Sequence, residues 1–311
     1  MSALRHKRGV ALITAMLITA LTASLAAGLA WNSALDVRRT MVLLFHEQGI
    51  QVALGAESWM RNILRDDLAE SQTDHLGELW ASDLPGLPIE SDTVQGAVAG
   101  KIEDLQGRFN VNNLIDQNGE IDQAVFDQFQ RLLRVLELDS RIAGITADWI
   151  DANQEAGFPD GAEDAIYTGF TPPYRTYNLP LSNVSELAAL EGMDKASYDR
   201  LRPHVTALPG RTSINVNTAT AEVLRSLDDS LDEAAVERLM SLREDGGIPN
   251  IADTFSTLVS PEMFSLLTES SGFFRLKAVV QIDTVRVTYF SILQRSPNGT
   301  VTTILRSLGT I

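Results

Sequence analysis

Residues 5–31 read Arg5-His6-Lys7-Arg8-Gly9 followed by VALITAMLITALTASLAAGLAW, Val10 to Trp31. The first five place three fixed cations beside each other with no acid. The next 22 residues carry no charge at all. At 1.5 Å per residue an α-helix of that length reaches about 33 Å, enough to cross a hydrocarbon layer of about 30 Å. The cationic flank favours an N-terminus left on the cytoplasmic side, with the bulk of the chain on the other. A cleaved secretory signal peptide competes with this reading, but the apolar run is long for one and no A-x-A site before a polar start stands out. A plain single-span anchor is the other alternative.

The helical signal continues beyond Trp31. No proline occurs before Pro85. Val37, Met41, Leu44, Phe45, Val52, Trp59 and Ile63 recur at spacings of three, four and seven, one stripe of a helix. A helix from Val10 to about Glu70 would be roughly 90 Å long. Gly28, Gly49 and Gly55 are its weak points. Pro85, Gly86 and Pro88 then mark a loop, and residues 94–103 read as a weak strand. The C-terminus is plainer: Arg275–Ile282 and Val285–Leu293 are β-rich, and Pro297-Asn298-Gly299 turns the chain into Val301–Leu305, an antiparallel meander. Between them, from Asp116 to Ser271, the text is helical. Helix, strand, a long helical block and strands again give an α+β chain.

That block repeats itself weakly. Leu187-x-x-Leu190 is followed by Leu201, and Leu224-x-x-Leu227 by Leu239, a helix–turn–helix unit used twice. Asn110-Val111-Asn112 and Asn215-Val216-Asn217 echo each other, although so short a match can be chance. Asn and Thr ahead of TAEVL are read as helix N-caps.

Composition closes off several functions. The 311 residues hold 25 Lys+Arg against 41 Asp+Glu, a net charge of −16. The basic leader contributes +3, so the remainder carries −19. A chain so acidic is a poor match for phosphate backbones. The absence of cysteine excludes disulfides, thiolate metal sites and thiol chemistry. Four scattered histidines, no phosphate-binding glycine loop and no nucleophile elbow leave little for an enzyme to use.

One stretch invites a metal. Asp148, Asp151, Glu155, Asp160, Glu163 and Asp164 fall within 17 residues with no Lys or Arg among them. The bland reading is a solvated loop. The alternative is a site of hard oxygen donors, suited to Ca²⁺: Asp151, Asn153, Asp160, Glu163 and Asp164, with Gly157 for the turn. Glu155 is less certain, and Asp148 is placed along the preceding helix. It is not an EF-hand, whose glycine and last glutamate would fall on Ala156 and Ala162.

Four segments together are similar to one family: RHKRG-VALITAMLI, KIEDLQGRFNVNNL (Lys101–Leu114), ADWIDANQEAGFPDGAED (Ala147–Asp164) and SINVNTATAEVL (Ser213–Leu224). The combination resembles the K-type minor pseudopilins of the bacterial type II secretion system, over nearly the whole chain. The resemblance implies a leader at residues 1–9, cut by a prepilin peptidase between Gly9 and Val10, with a methylated new amine on Val10. It implies a membrane span at 10–31, the rest of a pilin helix and first strands at 32–115, and an inserted α-domain at 116–271 made of two helix-hairpin-like (SAM-like) units. A C-terminal β-meander at 272–311 would complete a pseudopilin-type antiparallel sheet. It also implies bound calcium in the insertion, partners among the I- and J-type minor pseudopilins, and residence in the inner membrane with the bulk in the periplasm. Pilins carry Glu at the fifth mature position; here it is Thr14, which departs from the other subunits and agrees with the K-type. A carboxylate inside a membrane is costly unless paired. In pilins that Glu is thought to pair with the amine of the neighbouring subunit, so a subunit with Thr14 suits a filament tip.

Two competing readings remain. A minor pilin of a type IV pilus is the nearer. The other is a membrane-anchored helix-hairpin-helix DNA receptor, since INVNTATAEVL…AAVERLMSLREDGG has that rhythm. Its hairpin, however, holds Asp228, Asp229, Asp232 and Glu233 where such modules need glycines that admit phosphate.

Overall fold

The computed structural model describes residues 3–91, 94–157 and 159–310, with the backbone alone at 3–9, 84–85, 90–91 and 94. The side chains of Arg5, Lys7 and Arg8, and Phe158 of the acidic stretch, lie outside the described residues. The chain opens with a single helix, α1 (Ala3–Glu70, 68 residues). Gly28 and Gly55 sit in open space along it. Gly49 faces the sheet, where a Cβ would come within 2.7 Å of the Val287 side chain.

The sheet face of α1 is not the expected stripe. Its buried positions are Gly49, Ala53, Glu57, Met60 and Leu64, whereas Val37, Met41, Leu44 and Trp59 are exposed. Close packing of a helix on a sheet favours small residues at the line of contact. Gly49 and Ala53 make the close contact, Met60 and Leu64 fill the space beyond them, and Phe45, Val52 and Ile63 lie half-buried on the flanks.

Five antiparallel strands form the sheet, in the order β1 (Leu84–Ser91), β2 (Val94–Asp104), β7 (Phe273–Ile282), β8 (Val285–Arg295) and β9 (Val301–Leu308). The C-terminal meander is present, with Gly299 at φ +80° in its turn. The segment read as a Pro/Gly loop is instead the edge strand β1. Prolines are tolerated there because an edge strand has one side free of ladder bonds, and the pairing slips between Leu84 and Leu87. Alternate residues of β7 (Leu276, Ala278, Val280, Ile282) and β8 (Val287, Tyr289, Leu293) pack against Ala53, Met60 and Leu64.

Strands β2 and β7 are neighbours in full register, from Gly96 opposite Ile282 to Asp104 opposite Phe274. The chain between them is the insertion, which leaves and returns at the same end of the sheet. In order it contains β3 (Phe109–Asn110), α2 (Gln123–Val135), α3 (Ile142–Ile150), α4 (Asp164–Tyr167), α5 (Lys195–Leu201), β4 (Val205–Thr206), β5 (Ile214–Asn215), α6 (Ala221–Ser226), α7 (Glu233–Arg243), α8 (Ile251–Phe255), α9 (Pro261–Phe264) and β6 (Leu267–Thr268). Leu187, Leu190, Leu201, Leu224, Leu227 and Leu239 are all buried in one core.

The Asn-Val-Asn echo is a structural repeat and not chance. β3 pairs parallel with β4, and β5 pairs parallel with β6. Asn110 Oδ1 accepts from Asn112 N (3.2 Å), and Asn215 Oδ1 accepts from Asn217 N (3.0 Å). The second asparagine of each pair grips both backbone groups of one distant residue. Asn112 holds Leu181 (3.0 and 2.8 Å), and Asn217 holds Ile248 (3.1 and 2.7 Å). The insertion is two copies of one small device. The expected cap role falls to Thr220, whose hydroxyl accepts from Val223 N; Asn215 is buried.

Candidate functional site

Helix α1 offers the first candidate surface. From Val10 to Leu44 every position but the half-buried Leu35 is exposed, Leu12, Ile13, Met16, Leu17, Leu25 and Trp31 among them. It is one helix long and apolar enough to cross a membrane. Gly9 and Val10 lie within its first turns. Thr14 spends its hydroxyl on its own helix, donating to Val10 O (3.1 Å) and Ala11 O (3.0 Å). It therefore presents neither charge nor a free donor to a neighbour. Further along, Val52, Gly55, Ala56, Trp59, Leu87 and Val98 line an apolar groove of about 190 Å³ between α1 and the edge of the sheet.

The second candidate is the acidic loop after α3. Tertiary packing turns Asp148 inward: it is buried, and Gly157 N donates to its Oδ2 at 3.0 Å. Asp151 and Glu163 are also buried. Behind them lies an aromatic floor, with Trp149 edge-on to Tyr167 at 5.1 Å between ring centroids. Burial and the neighbouring Asp148 push Asp151 up to about 6. Glu163 is pushed up to about 7, by burial first and then by the charges of Asp148, Asp151 and Asp164. Burial also raises Asp148.

Donors are too few for these acids. Glu163 Oε2 accepts from Thr176 Oγ1 (3.1 Å), while Oε1 is buried with no partner. Asn178 donates to Asn153 O (2.7 Å), and its own Oδ1 is likewise buried and unpartnered. Orphaned oxygens beside mutually repelling carboxylates fit a hard cation. The other expected ligands are engaged elsewhere. Asn153 is exposed and bonds Asp151 and Glu155. Asp160 faces Arg141 at 3.5 Å, and Asp164 faces Arg175 at 3.3 Å and Thr176 at 3.0 Å. Asp151 and Glu163 are both buried, and the charge of Asp151 is felt at Glu163. Asp148, expected along the preceding helix, instead accepts from Gly157 in the loop, and Asn178 reaches the loop from outside the acidic run.

The acidic hairpin is built as a helix-hairpin-helix: α6, a turn, then α7. Asp232 Oδ1 accepts from Ala235 N (2.8 Å) as the cap of α7, and Asp228 Oδ1 accepts from Ser230 N (2.9 Å). Carboxylates therefore hold the amides that a phosphate would need.

Two family models, both described as type II secretion system (T2SS), protein K, match residues 107–210 and 214–268. The two matches divide the insertion where its structural repeat does. Over 98% of its length the chain is 33% identical to a protein of Pseudomonas aeruginosa named type II secretion system protein K, covering 94% of that protein. It is 27% identical to the protein of that name from Aeromonas hydrophila, over 99% of both. A Klebsiella pneumoniae protein of the same name is 36% identical over 68% of this chain and 67% of its own. In fold, the chain resembles one in the crystal structure of the GspK-GspI-GspJ complex from the enterotoxigenic Escherichia coli type 2 secretion system. The TM-score is 0.75 at 24% identity, over 88% of this chain and all of that one.

Proposed function

The chain belongs to the type II secretion system protein K family, and on that premise we propose that it works as a minor pseudopilin that starts or caps a pseudopilus. Its partners are I- and J-type minor pseudopilins, and the tip complex they form drives the export of folded proteins across the outer membrane. The observation that carries this reading is the combination of an uncovered apolar helix with a broad insertion at one end of the sheet. The helix supplies a seam for neighbouring helices, while the insertion is too bulky to repeat within a thin filament. The role is assembly and not catalysis.

Maturation follows from the same helix. A prepilin peptidase cuts between Gly9 and Val10, and the amine of Val10 is methylated. Residues 10–31 then anchor the protein in the inner membrane by a single span, with everything beyond in the periplasm. Thr14, with its hydroxyl satisfied internally, offers no carboxylate to the amine of another subunit, which suits a terminal position.

Calcium belongs to this proposal. Asp151 and Glu163 hold it, with Asp148 behind them and Asn178 Oδ1 as a neutral donor. Asp160 and Asp164 can join by giving up exposed arginine partners. The ion supplies charge neutralisation and loop order, in place of the disulfide that a chain without cysteine cannot make. No nucleic acid is involved, since −19 of net charge opposes it.

The test is Thr14→Glu in the full-length chain, expressed in a secreting bacterium that lacks its own K-type subunit. Expected is a loss of exoprotein secretion of tenfold or more, with the protein still processed. Unchanged secretion would show that the missing carboxylate carries no positional meaning. Co-purification of the detergent-solubilised chain with I- and J-type subunits tests the partners separately.

A further inference from the structure

Three carboxylates converge at the foot of α1, well apart in sequence from the acidic loop. Asp67 lies in the last turn of the helix, and Asp74 and Glu78 lie in the loop that follows. One oxygen from each lies within 4.8 Å of the other two. Oxygens that close can converge on one ion with calcium–oxygen bonds of about 2.4 Å after a small closing of the side chains. The loop is held in this shape from both sides. Asp74 N donates to Glu269 O (2.9 Å). The Glu78 carboxylate accepts from His75 N (3.0 Å) and Trp80 Nε1 (2.7 Å).

One permanent cation faces the trio. Arg295 donates to Asp67 Oδ2 (3.0 Å) and to Asp74 Oδ2, and its remaining bonds go to the carbonyls of Leu64 (3.1 Å) and Ser271 (2.8 Å). Three carboxylates share one guanidinium in a site that is mostly shielded from water. Asp74 is 1% exposed, yet its Oδ1 has no hydrogen-bond partner. An unmatched buried carboxylate oxygen is costly unless something positive occupies the space beside it.

The nearest nitrogen donor is unsuitable for a transition metal. His75 Nδ1 is already engaged as the acceptor from Gly77 N (3.1 Å), and Nε2 faces Glu78 at 3.7 Å. Oxygen donors alone point to a hard ion.

We propose that Asp67, Asp74 and Glu78 form a second calcium site, independent of the loop after α3, that fastens the end of α1 to the junction between sheet and insertion. The junction contacts are already made through the same residue. Asp74 Oδ2 accepts from Ser271 N (2.7 Å), where the insertion returns to β7. Asp74 O accepts from Asn215 Nδ2 (3.0 Å) at the start of the second repeat. An ion here would set the angle at which the insertion leaves the pilin body.

The experiment uses the full-length chain in detergent, stripped with chelator and dialysed against radiolabelled calcium. Asp67→Asn, and separately Glu78→Gln, are expected to lower the bound calcium by one ion per chain. The ions that depend on Glu163 should stay. Terbium gives an independent readout, because Trp80 bonds directly to a ligand carboxylate and would sensitise an ion at this site. Trp80→Phe should remove part of the sensitised luminescence, and that same part should be missing in Asp67→Asn. Calcium counts unchanged in both carboxylate variants, or luminescence indifferent to Trp80→Phe, would overturn the proposal. Loss of every ion in Asp67→Asn with circular dichroism unchanged would also overturn it, since the two sites would then not be independent.

Discussion

Arg306 on the last strand grips Glu57 in the last quarter of α1 with two bonds, Nη2 to Oε1 at 2.7 Å and Nε to Oε2 at 3.1 Å. Glu57 also accepts from Thr303 Oγ1 at 2.8 Å and from the Tyr289 hydroxyl. Burial alone would raise this carboxyl. Those hydrogen bonds and the charge of Arg306 outweigh it and hold Glu57 at about 2, against an ordinary 4.5.

Because the folded value lies below the unfolded one, Glu57 stabilises the fold fully above about pH 4.5, and that contribution is lost as pH falls towards 2. Arg306→Leu should cost about 1–3 kcal/mol at pH 7, at the low end because Arg306 is half-exposed. The gap between wild type and variant should narrow by pH 3. Urea unfolding at the two pH values checks it; a gap that widens in acid would refute the assignment.

Chelation should lower the melting temperature of the full-length chain, because buried Asp148, Asp151 and Glu163 then repel one another without a counter-ion. Glu163→Gln should shrink that response by removing one negative ligand. Differential scanning calorimetry with and without chelator reads both. A melting temperature indifferent to chelator would remove calcium from the account.

Asn110→Ala and Asn215→Ala should destabilise the chain to a similar degree, about 2–4 kcal/mol each, since either change strands several buried polar groups. Asn110 Nδ2 donates to Gly210 O (3.1 Å) and Thr212 Oγ1 (3.0 Å). Asn215 Nδ2 donates to Asp74 O, to Asp104 Oδ2 (3.1 Å) and to Ser271 Oγ (2.9 Å). Chemical denaturation of the two variants compares them. A near-zero cost at either would deny the equivalence of the repeats.

Gly107→Ala and Gly55→Ala should act in opposite directions. At Gly107 a Cβ would lie 2.6 Å from Thr218 O, a backbone atom that cannot swing aside. The expected cost is about 1–3 kcal/mol. At Gly55, inside α1, a Cβ meets nothing within 4 Å. Alanine there should stabilise the helix by up to about 1 kcal/mol. Thermal melts of both variants decide the signs.

Much of the architecture was legible because it is encoded locally. Twenty-two uncharged residues behind three cations, and then no proline until Pro85, specify one long helix through spacing alone. Alternating residues from Arg275 to Leu305 specify a meander for the same reason. The leucines at 187, 190, 201, 224, 227 and 239 announced the paired helical units. The face of α1 that meets the sheet was not legible. Its contact line is Gly49, Ala53 and Glu57, and hydrophobic periodicity is blind to small residues and misled by a charge. Glu57 is buried only because Arg306, 249 positions later, arrives beside it.

The candidate sites divide in the same way. Composition by itself located an acidic loop, and donor type by itself suggested calcium, because both follow from side-chain chemistry. Which oxygens lack a partner is settled by the path of the backbone. Asp148 turns inward because Gly157 donates to it, Asn178 reaches the loop from 25 residues beyond Asn153, and Asp74 comes beside Asp67 and Glu78 where Arg295 and Ser271 fix it. The sequence by itself determined a basic flank ahead of a long apolar helix, a duplicated helical insertion and a closing meander. Only the tertiary structure decided where the uncompensated charges meet. Burial and hydrogen-bond supply are properties of the packed chain and not of any one segment.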